Sequence, residues 1–177
     1  MFSWLSASEG LKDRVVSVQK EIGKWPLNCK LVERGNLHLC FSFLGEVDEK
    51  NMGEISRKID ELSKHFKKFE VLIRGLRAIP DENYIRVIAM DVVDETGMLK
   101  SFFGELVREV GGDSKPAHLT LCRVKSVLDK NLVKERIEEG RQEKYGTLSI
   151  NSIQLIKSEL SRSGPIYSVV HEAPLLD

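Results

Sequence analysis

The chain has 177 residues, of which 41% are hydrophobic and 31% charged, a composition typical of a globular protein that buries a substantial core. Lysine and arginine together number 27, as do aspartate and glutamate, and this zero net charge argues against a protein that grips a long duplex through its phosphates. No run of about 18 apolar residues occurs, so no membrane-spanning helix is predicted.

The first half of the chain alternates predicted helices and strands. Helical spacing of apolar residues from Leu11 to Ile22 predicts a first helix, capped by Ser6 or Ser8. Strands at 30–33 and 37–44 follow, joined by a turn at 34–36, and Asp48 is expected to cap a second helix. Strands are then predicted at 69–76 and 84–92.

The second half repeats this alternation. A third helix carries apolar residues from Leu99 to Val110 and is expected to stop at Gly111 and Gly112. The remaining predictions are a strand at 117–125, a helix at 128–139, a polar loop at 140–146, and strands at 148–156 and 166–170.

Two short motifs centred on histidines carry the chemistry. They read His38-Leu39-Cys40-Phe41 and His118-Leu119-Thr120-Leu121, and both alternate as strands do. His38 and Cys40 therefore share one face, as do His118 and Thr120, whereas strand parity directs Phe41 and Phe43 to the core. Two imidazoles suit proton transfer at a phosphodiester, because one accepts a proton while the other donates one.

The histidines lie 80 residues apart, and a shift of 80 also superposes other elements. It lays the helix after the first motif over the helix after the second, strand 69–76 over 149–156, and 84–90 near 164–170. We therefore predict an α+β fold with two pseudo-symmetric lobes, each an antiparallel sheet with helices outside, forming a single bilobal domain over residues 1–177. The cleft between the lobes would hold both imidazoles.

Each histidine also has a structural interpretation, since a lone histidine on a strand is most often structural. If both of two matching histidines in a repeated unit were structural, the same coincidence would have occurred twice, and this favours a functional role for the pair. His65, among lysines on the second helix, is predicted to be exposed, and His171 to be structural or exposed.

The sequences around both histidines resemble those of a known family. Residues 36–47, Asn-Leu-His-Leu-Cys-Phe-Ser-Phe-Leu-Gly-Glu-Val, resemble the first HxTx motif of the two-histidine (2H) phosphoesterases, in the branch of RNA 2′,3′-cyclic phosphodiesterases, also called 2′-5′ RNA ligases. Residues 117–125, Ala-His-Leu-Thr-Leu-Cys-Arg-Val-Lys, resemble the second motif, and segments 156–160 and 164–167 resemble the tail of this branch.

The resemblance implies metal-independent hydrolysis of a 2′,3′-cyclic phosphate to a 2′-phosphomonoester, without a cofactor. On this hypothesis His118 is the proton acceptor and His38 the proton donor, while Cys40, Thr120 and Arg123 bind the phosphate. The family has threonine or serine where this chain has Cys40, and a thiol is a weak hydrogen-bond donor. Arg123, three residues after Thr120, falls on the opposite face of a regular strand unless a bulge re-aims it.

Three alternatives remain open. His38, Cys40, His118 and Cys122 are all expected to project into the cleft and could form a zinc set, although flat strands splay such ligands. Cys40 and Cys122 could instead form a disulfide across the cleft. A module that binds RNA ends with weak or no catalysis is the third, and the departure at Cys40 favours it.

The expected partners are RNA ends or small nucleotides that carry a 2′,3′-cyclic phosphate. Reverse 2′-5′ ligation could occur at the same site. The three cysteines lack the spacing of a disulfide framework, which together with the absent membrane span predicts a cytoplasmic protein. A monomer is expected.

Overall fold

The computed structural model describes residues 2–6, 9–114, 116–161 and 164–177. The helices are α1 (Glu9–Ile22), α2 (Glu49–Ser63), α3 (Met98–Val110) and α4 (Lys130–Glu139). The strands are β1 (Phe2–Ser6), β2 (Leu27–Leu31), β3 (His38–Phe43), β4 (Phe69–Pro80), β5 (Ile85–Val93), β6 (Asp113–Ser114), β7 (His118–Val127), β8 (Lys144–Ile150), β9 (Ser152–Ser161) and β10 (Gly164–Pro174).

The strands form one curled antiparallel sheet. Its order is β10-β9-β1-β3-β7-β5-β4-β8, with β2 added beside β7 and β6 beside β3. The two motif strands, β3 and β7, are neighbours in the middle and meet where Leu39 lies opposite Leu119. The chain therefore brings both motifs to the centre of the sheet.

The sheet has two matching halves. One contains β2, β7, β5, β4 and β8 and packs against α1 and α4, and the other contains β6, β3, β1, β9 and β10 and packs against α2 and α3. This arrangement confirms the α+β fold with two pseudo-symmetric lobes. In each of these two lists of strands the motif strand is second, so β1 corresponds to β5 and β10 to β8. The sequence-based match of 84–90 with 164–170 is therefore wrong. Neither half is a continuous segment of the chain, because strands of one half alternate along it with strands of the other.

Helix caps and apolar faces fix the outer layer. Asp48 accepts a hydrogen bond from the Lys50 amide at 3.1 Å and caps α2 as predicted, and Asp129 caps α4. The faces directed at the sheet are fully buried, for example at Ile59 and Ile137, and burying each such side chain contributes about 1.5–3 kcal/mol.

Several predicted boundaries differ from the structure. Strand β1 was not predicted, and neither was the two-residue β6. The predicted strand 148–156 is two strands that break at Asn151, and the last strand extends to Gly164–Pro174. The predicted cap at Ser8 lies outside the described residues.

Of the other two histidines, His65 was predicted on the second helix but follows it, since α2 ends at Ser63. His65 is exposed, and His171 lies with its Nε2 2.8 Å from Asp60 Oδ1, which ties β10 to α2. In the described part of the chain, no helix is long and apolar enough to cross a membrane.

Candidate active site

The two motif histidines lie on one face of the central strands. Leu39 and Leu119 are fully buried and oppose each other across β3 and β7. His38 and His118 directly precede these leucines, so their side chains project from the other face, and both are half-buried. In an antiparallel pair this register places His38 beside Thr120 and His118 beside Cys40.

Each imidazole is oriented by the same kind of contact, from its Nδ1 to the backbone carbonyl oxygen two residues earlier. The Nδ1 of His38 lies 2.6 Å from the carbonyl oxygen of Asn36, and that of His118 lies 2.8 Å from the carbonyl oxygen of Pro116. A carbonyl oxygen only accepts hydrogen bonds, so in both rings Nδ1 carries the proton. In the neutral form the lone pair is then on Nε2, which is the nitrogen available to accept a proton.

Each motif strand contains one extra residue, three positions after its histidine. On β7 the register passes from Thr120, opposite Ala89, to Cys122, opposite Ile88, so Leu121 is the extra residue. On β3 the register similarly skips Phe41. A bulge of this kind reverses the strand parity for the residues after it.

The β7 bulge returns Arg123 to the face of the histidine. Arg123 lies opposite Val87, which shares its face with Ala89, the partner of Thr120. Arg123 is exposed and contributes to the electrostatic environment of His38. Thr120, Arg123 and His118 therefore belong to one surface.

The same bulge directs Cys122 into the core. Its side chain is fully buried opposite Ile88, on the face of Leu119, and contacts Cys29. The expectation that Cys122 projects into the cleft is therefore wrong, which removes one ligand from the zinc set and one partner from the proposed disulfide. Among the described residues, no group of three or more His, Cys, Asp or Glu is arranged to hold a metal ion.

Phe43 also differs from its prediction. Phe43 lies opposite Phe2, and the alternate residues of β1 that follow Phe2 lie opposite Cys40 and His38. Phe43 is therefore on the same face as His38, and 45% of its surface is exposed. The prediction that Phe43 is core is wrong because the extra residue Phe41 reverses the parity. The Cys40 and Phe41 side chains lie outside the described part of the structure.

Known proteins match the chain over nearly its whole length. Residues 5–89 match the family described as LigT-like phosphoesterase. The RNA 2′,3′-cyclic phosphodiesterase of Methanocaldococcus jannaschii is 32% identical over 97% of this chain and 98% of its own. That of Methanothermobacter thermautotrophicus is 30% identical over 94% of both chains.

The chain belongs to the LigT-like phosphoesterase family. The crystal structure of TT0787 of Thermus thermophilus superposes with a TM-score of 0.78 at 25% identity, over 98% of this chain and 96% of that one. These similarities confirm the predicted family, the fold class and the prediction of an enzyme that hydrolyses phosphodiesters.

The site of this LigT-like phosphoesterase disfavours a charged His38. Burial lowers the pKa of His38 to about 4, and the nearby positive charges of Arg123 and His118 act in the same direction. The hydrogen bond to the Asn36 carbonyl opposes them. His38 is therefore neutral at pH 7 when the site holds no anion.

Two further residues adjoin this site, and sequence reasoning assigned neither a role. Tyr167 of β10 packs edge-on against the His38 ring, with 5.7 Å between ring centroids. Asp91 of β5 lies directly opposite His118. The family-like tail contains Tyr167 and could have drawn attention to it, but Asp91 is recognised only once the strand register is known.

Proposed function

We propose that the protein hydrolyses 2′,3′-cyclic phosphate ends of RNA to 2′-phosphomonoesters, with His38 and His118 transferring the protons. The observation that carries this proposal is the matched pair of imidazoles on one face of adjacent strands, each fixed through Nδ1 by a carbonyl two residues earlier. The names of the relatives support the substrate class.

In the proposed step, neutral His118 accepts a proton from water at Nε2 while the water oxygen attacks phosphorus. The bond from phosphorus to the 3′ oxygen breaks in line with this attack, and protonated His38 supplies the proton that the leaving oxygen needs. The hydroxyl of water ends on phosphorus, the other proton of water ends on His118, and the proton from His38 ends on the 3′ oxygen of the ribose. Each such proton transfer accelerates a reaction by about 10²–10⁴.

The donor role requires that the substrate raise the pKa of His38. Without an anion, burial and the positive charges hold that pKa at about 4. A phosphate anion against the ring stabilises the imidazolium and offsets Arg123, so its binding raises the pKa. His38 would thus gain its proton together with the substrate.

The remaining residues on this face would bind the substrate. Arg123 can place its guanidinium fork on the phosphate oxygens, and the Thr120 hydroxyl can donate to one of them. Cys40 would donate more weakly. The exposed ring of Phe43 offers a surface on which a nucleobase can stack.

Product analysis tests this proposal. An oligoribonucleotide ending in a 2′,3′-cyclic phosphate is incubated with the protein, with and without EDTA, and the products are separated. We expect a 2′-monoester in both samples. A 3′-monoester would mean that the other oxygen leaves, loss of activity in EDTA would restore a metal mechanism, and binding without hydrolysis would favour the RNA-end-binding module.

In 2′-5′ ligation the 5′ hydroxyl of a second RNA would attack phosphorus in place of water, forming a bond from phosphorus to the 5′ oxygen while the bond to the 3′ oxygen breaks. Ligation stays a prediction, together with the cytoplasmic location and the monomeric state.

A further inference from the structure

A row of charged side chains continues from the second histidine across the neighbouring strands. His118 on β7 lies opposite Asp91 on β5, Asp91 lies opposite Arg74 on β4, and Arg74 lies opposite Lys144 on β8. Residues directly opposite each other in a sheet project from the same face. Arg74 and Lys144 therefore share the face of His118.

Arg77 joins this face through a second row and a bulge. It lies opposite Ala89, which lies opposite Thr120. Gly75 is the extra residue on β4, with a φ of 82° that favours glycine, and a Cβ there would stand 2.5 Å from the Arg141 carbonyl oxygen. This bulge places Arg74 and Arg77 on one face, although three positions separate them.

The guanidinium of Arg77 is held close to the second histidine. Its Nε lies 3.1 Å from Asp91 Oδ1, directly beside His118, and 32% of the side chain is exposed. The contact is an ion pair without hydrogen-bond geometry, and among the described residues this buried Nε has no hydrogen-bond acceptor. Strands lie about 4.8 Å apart, so the Arg77 backbone is about 10 Å from that of Thr120, and the small Ala89 is all that intervenes in the row.

The other half of the sheet presents different chemistry. On its corresponding outer strands, the described residues that share the face of His38 include Gln154, Ser158 and Tyr167 and no basic residue. In a chain of zero net charge, the basic groups of this face are thus concentrated on the His118 side. An asymmetric positive surface attracts a polyanion to one side of a site.

We propose that Arg74 and Arg77, with Lys144 at the margin, form a binding subsite for a second phosphate, the phosphodiester that precedes the terminal nucleotide of the RNA. Arginine forks suit phosphate oxygens, and Asp91 fixes one of them. The subsite makes an RNA strand a better substrate than a mononucleotide. This inference rests on the proposed hydrolysis of cyclic phosphate ends.

The test compares two substrates with the same terminal nucleotide. One is a nucleoside 2′,3′-cyclic phosphate, and the other is a dinucleotide that adds one phosphodiester before it. We expect the ratio of kcat/KM, dinucleotide over mononucleotide, to fall by about tenfold in Arg77→Ala and in Arg74→Ala, because each loses a charge-assisted contact to the extra phosphate. Taking the ratio cancels any effect of these substitutions on His118.

Two controls are needed. One distinguishes the charge of the arginine from its forked guanidinium, and the other distinguishes the proposed subsite from the rest of the surface. Arg77→Lys keeps the charge without the fork and should retain part of the ratio. Arg86→Ala removes an exposed arginine that contacts Tyr84 instead of the site, and should leave the ratio unchanged. In the wild type, dinucleotide affinity should also fall more steeply with salt than mononucleotide affinity, by about 0.7 in the logarithmic slope per phosphate contact.

The outcomes distinguish this inference from the function on which it rests. If both substrates are hydrolysed and neither arginine variant changes the ratio, the second-phosphate subsite is wrong while the proposed function stands. If the wild type hydrolyses neither substrate, the proposed function fails and the subsite falls with it. If Arg77→Ala does not fold, Arg74→Ala decides the question alone.

Discussion

Phe43 and Arg123 occupy equivalent positions on the two motif strands, each five residues after a histidine and each returned to the histidine's face by one extra residue. The extra residues are Phe41 on β3 and Leu121 on β7. The pseudo-symmetry thus places an aromatic ring in one half and a guanidinium in the other. On the proposed function, a site built from two similar halves would thereby offer different groups to a base and to a phosphate.

Removing the guanidinium should impair catalysis. Arg123→Ala is expected to reduce kcat/KM on a cyclic-phosphate dinucleotide by about 10²-fold, since preorganised donors to developing charge are worth this much. Arg123→Lys should recover only part of that loss. Steady-state kinetics of both variants is compared with Lys125→Ala, an exposed neighbour on the same strand that should change kcat/KM less than about threefold. Equal losses in Arg123→Ala and Lys125→Ala would mean that Arg123 has no specific role.

Removing the aromatic ring of Phe43 should weaken substrate binding more than it slows turnover. Phe43→Ala is expected to raise KM for a nucleotide substrate by about tenfold with little change in kcat, because stacking on a base is worth about 1–3 kcal/mol. Phe43→Tyr should preserve the wild-type KM. The free energy of unfolding should fall by less than about 1 kcal/mol in Phe43→Ala, since the ring is half exposed. A loss comparable to that of Leu39→Ala would instead return Phe43 to the core.

The bulges also explain where sequence reasoning succeeded and failed. The histidine motifs, the Asp48 cap and the end of α3 before Gly111 follow from local chemistry, and the structure has them. Phe41 and Leu121 are ordinary strand residues without a bulge signature, so the faces of Phe43 and Cys122 could not be predicted. Register between distant strands decides them, and it decides Asp91 as well.

His38 should make the stability depend on pH. Its pKa is about 4 in the folded protein and near 6.5 when unfolded, so the unfolded state binds the proton first. Stability is therefore lost as the pH falls from about 6.5 to about 4, and we expect His38 to account for about 2 kcal/mol of that loss after allowance for its partial exposure.

Urea denaturation at pH 7 and pH 4.5 measures this effect. His38→Gln should show a smaller acid-induced loss than the wild type, whereas His65→Gln, which alters an exposed histidine, should match the wild type. Parallel pH dependences of His38→Gln and wild type would show that the folded protein does not hold His38 neutral.

The described thiols should differ in reactivity. Burial, followed by the neighbouring Cys29 thiol, raises the pKa of Cys122 well above its usual range, so the reactive thiolate is scarce. In a Cys40→Ser background, a thiol reagent should label the partly exposed Cys29 quickly and Cys122 only after unfolding. Rapid labelling of Cys122 in the native protein would contradict its place in the core.

The pairing of His38 with His118 is tested most directly by comparing the turnover of His38→Gln, His118→Gln and the double variant on a cyclic-phosphate dinucleotide. Because the proposed mechanism uses both rings in a single step, we expect each single variant to lose at least about 10²-fold in kcat and the double variant to lose little more. Near-native turnover in either single variant would contradict the account.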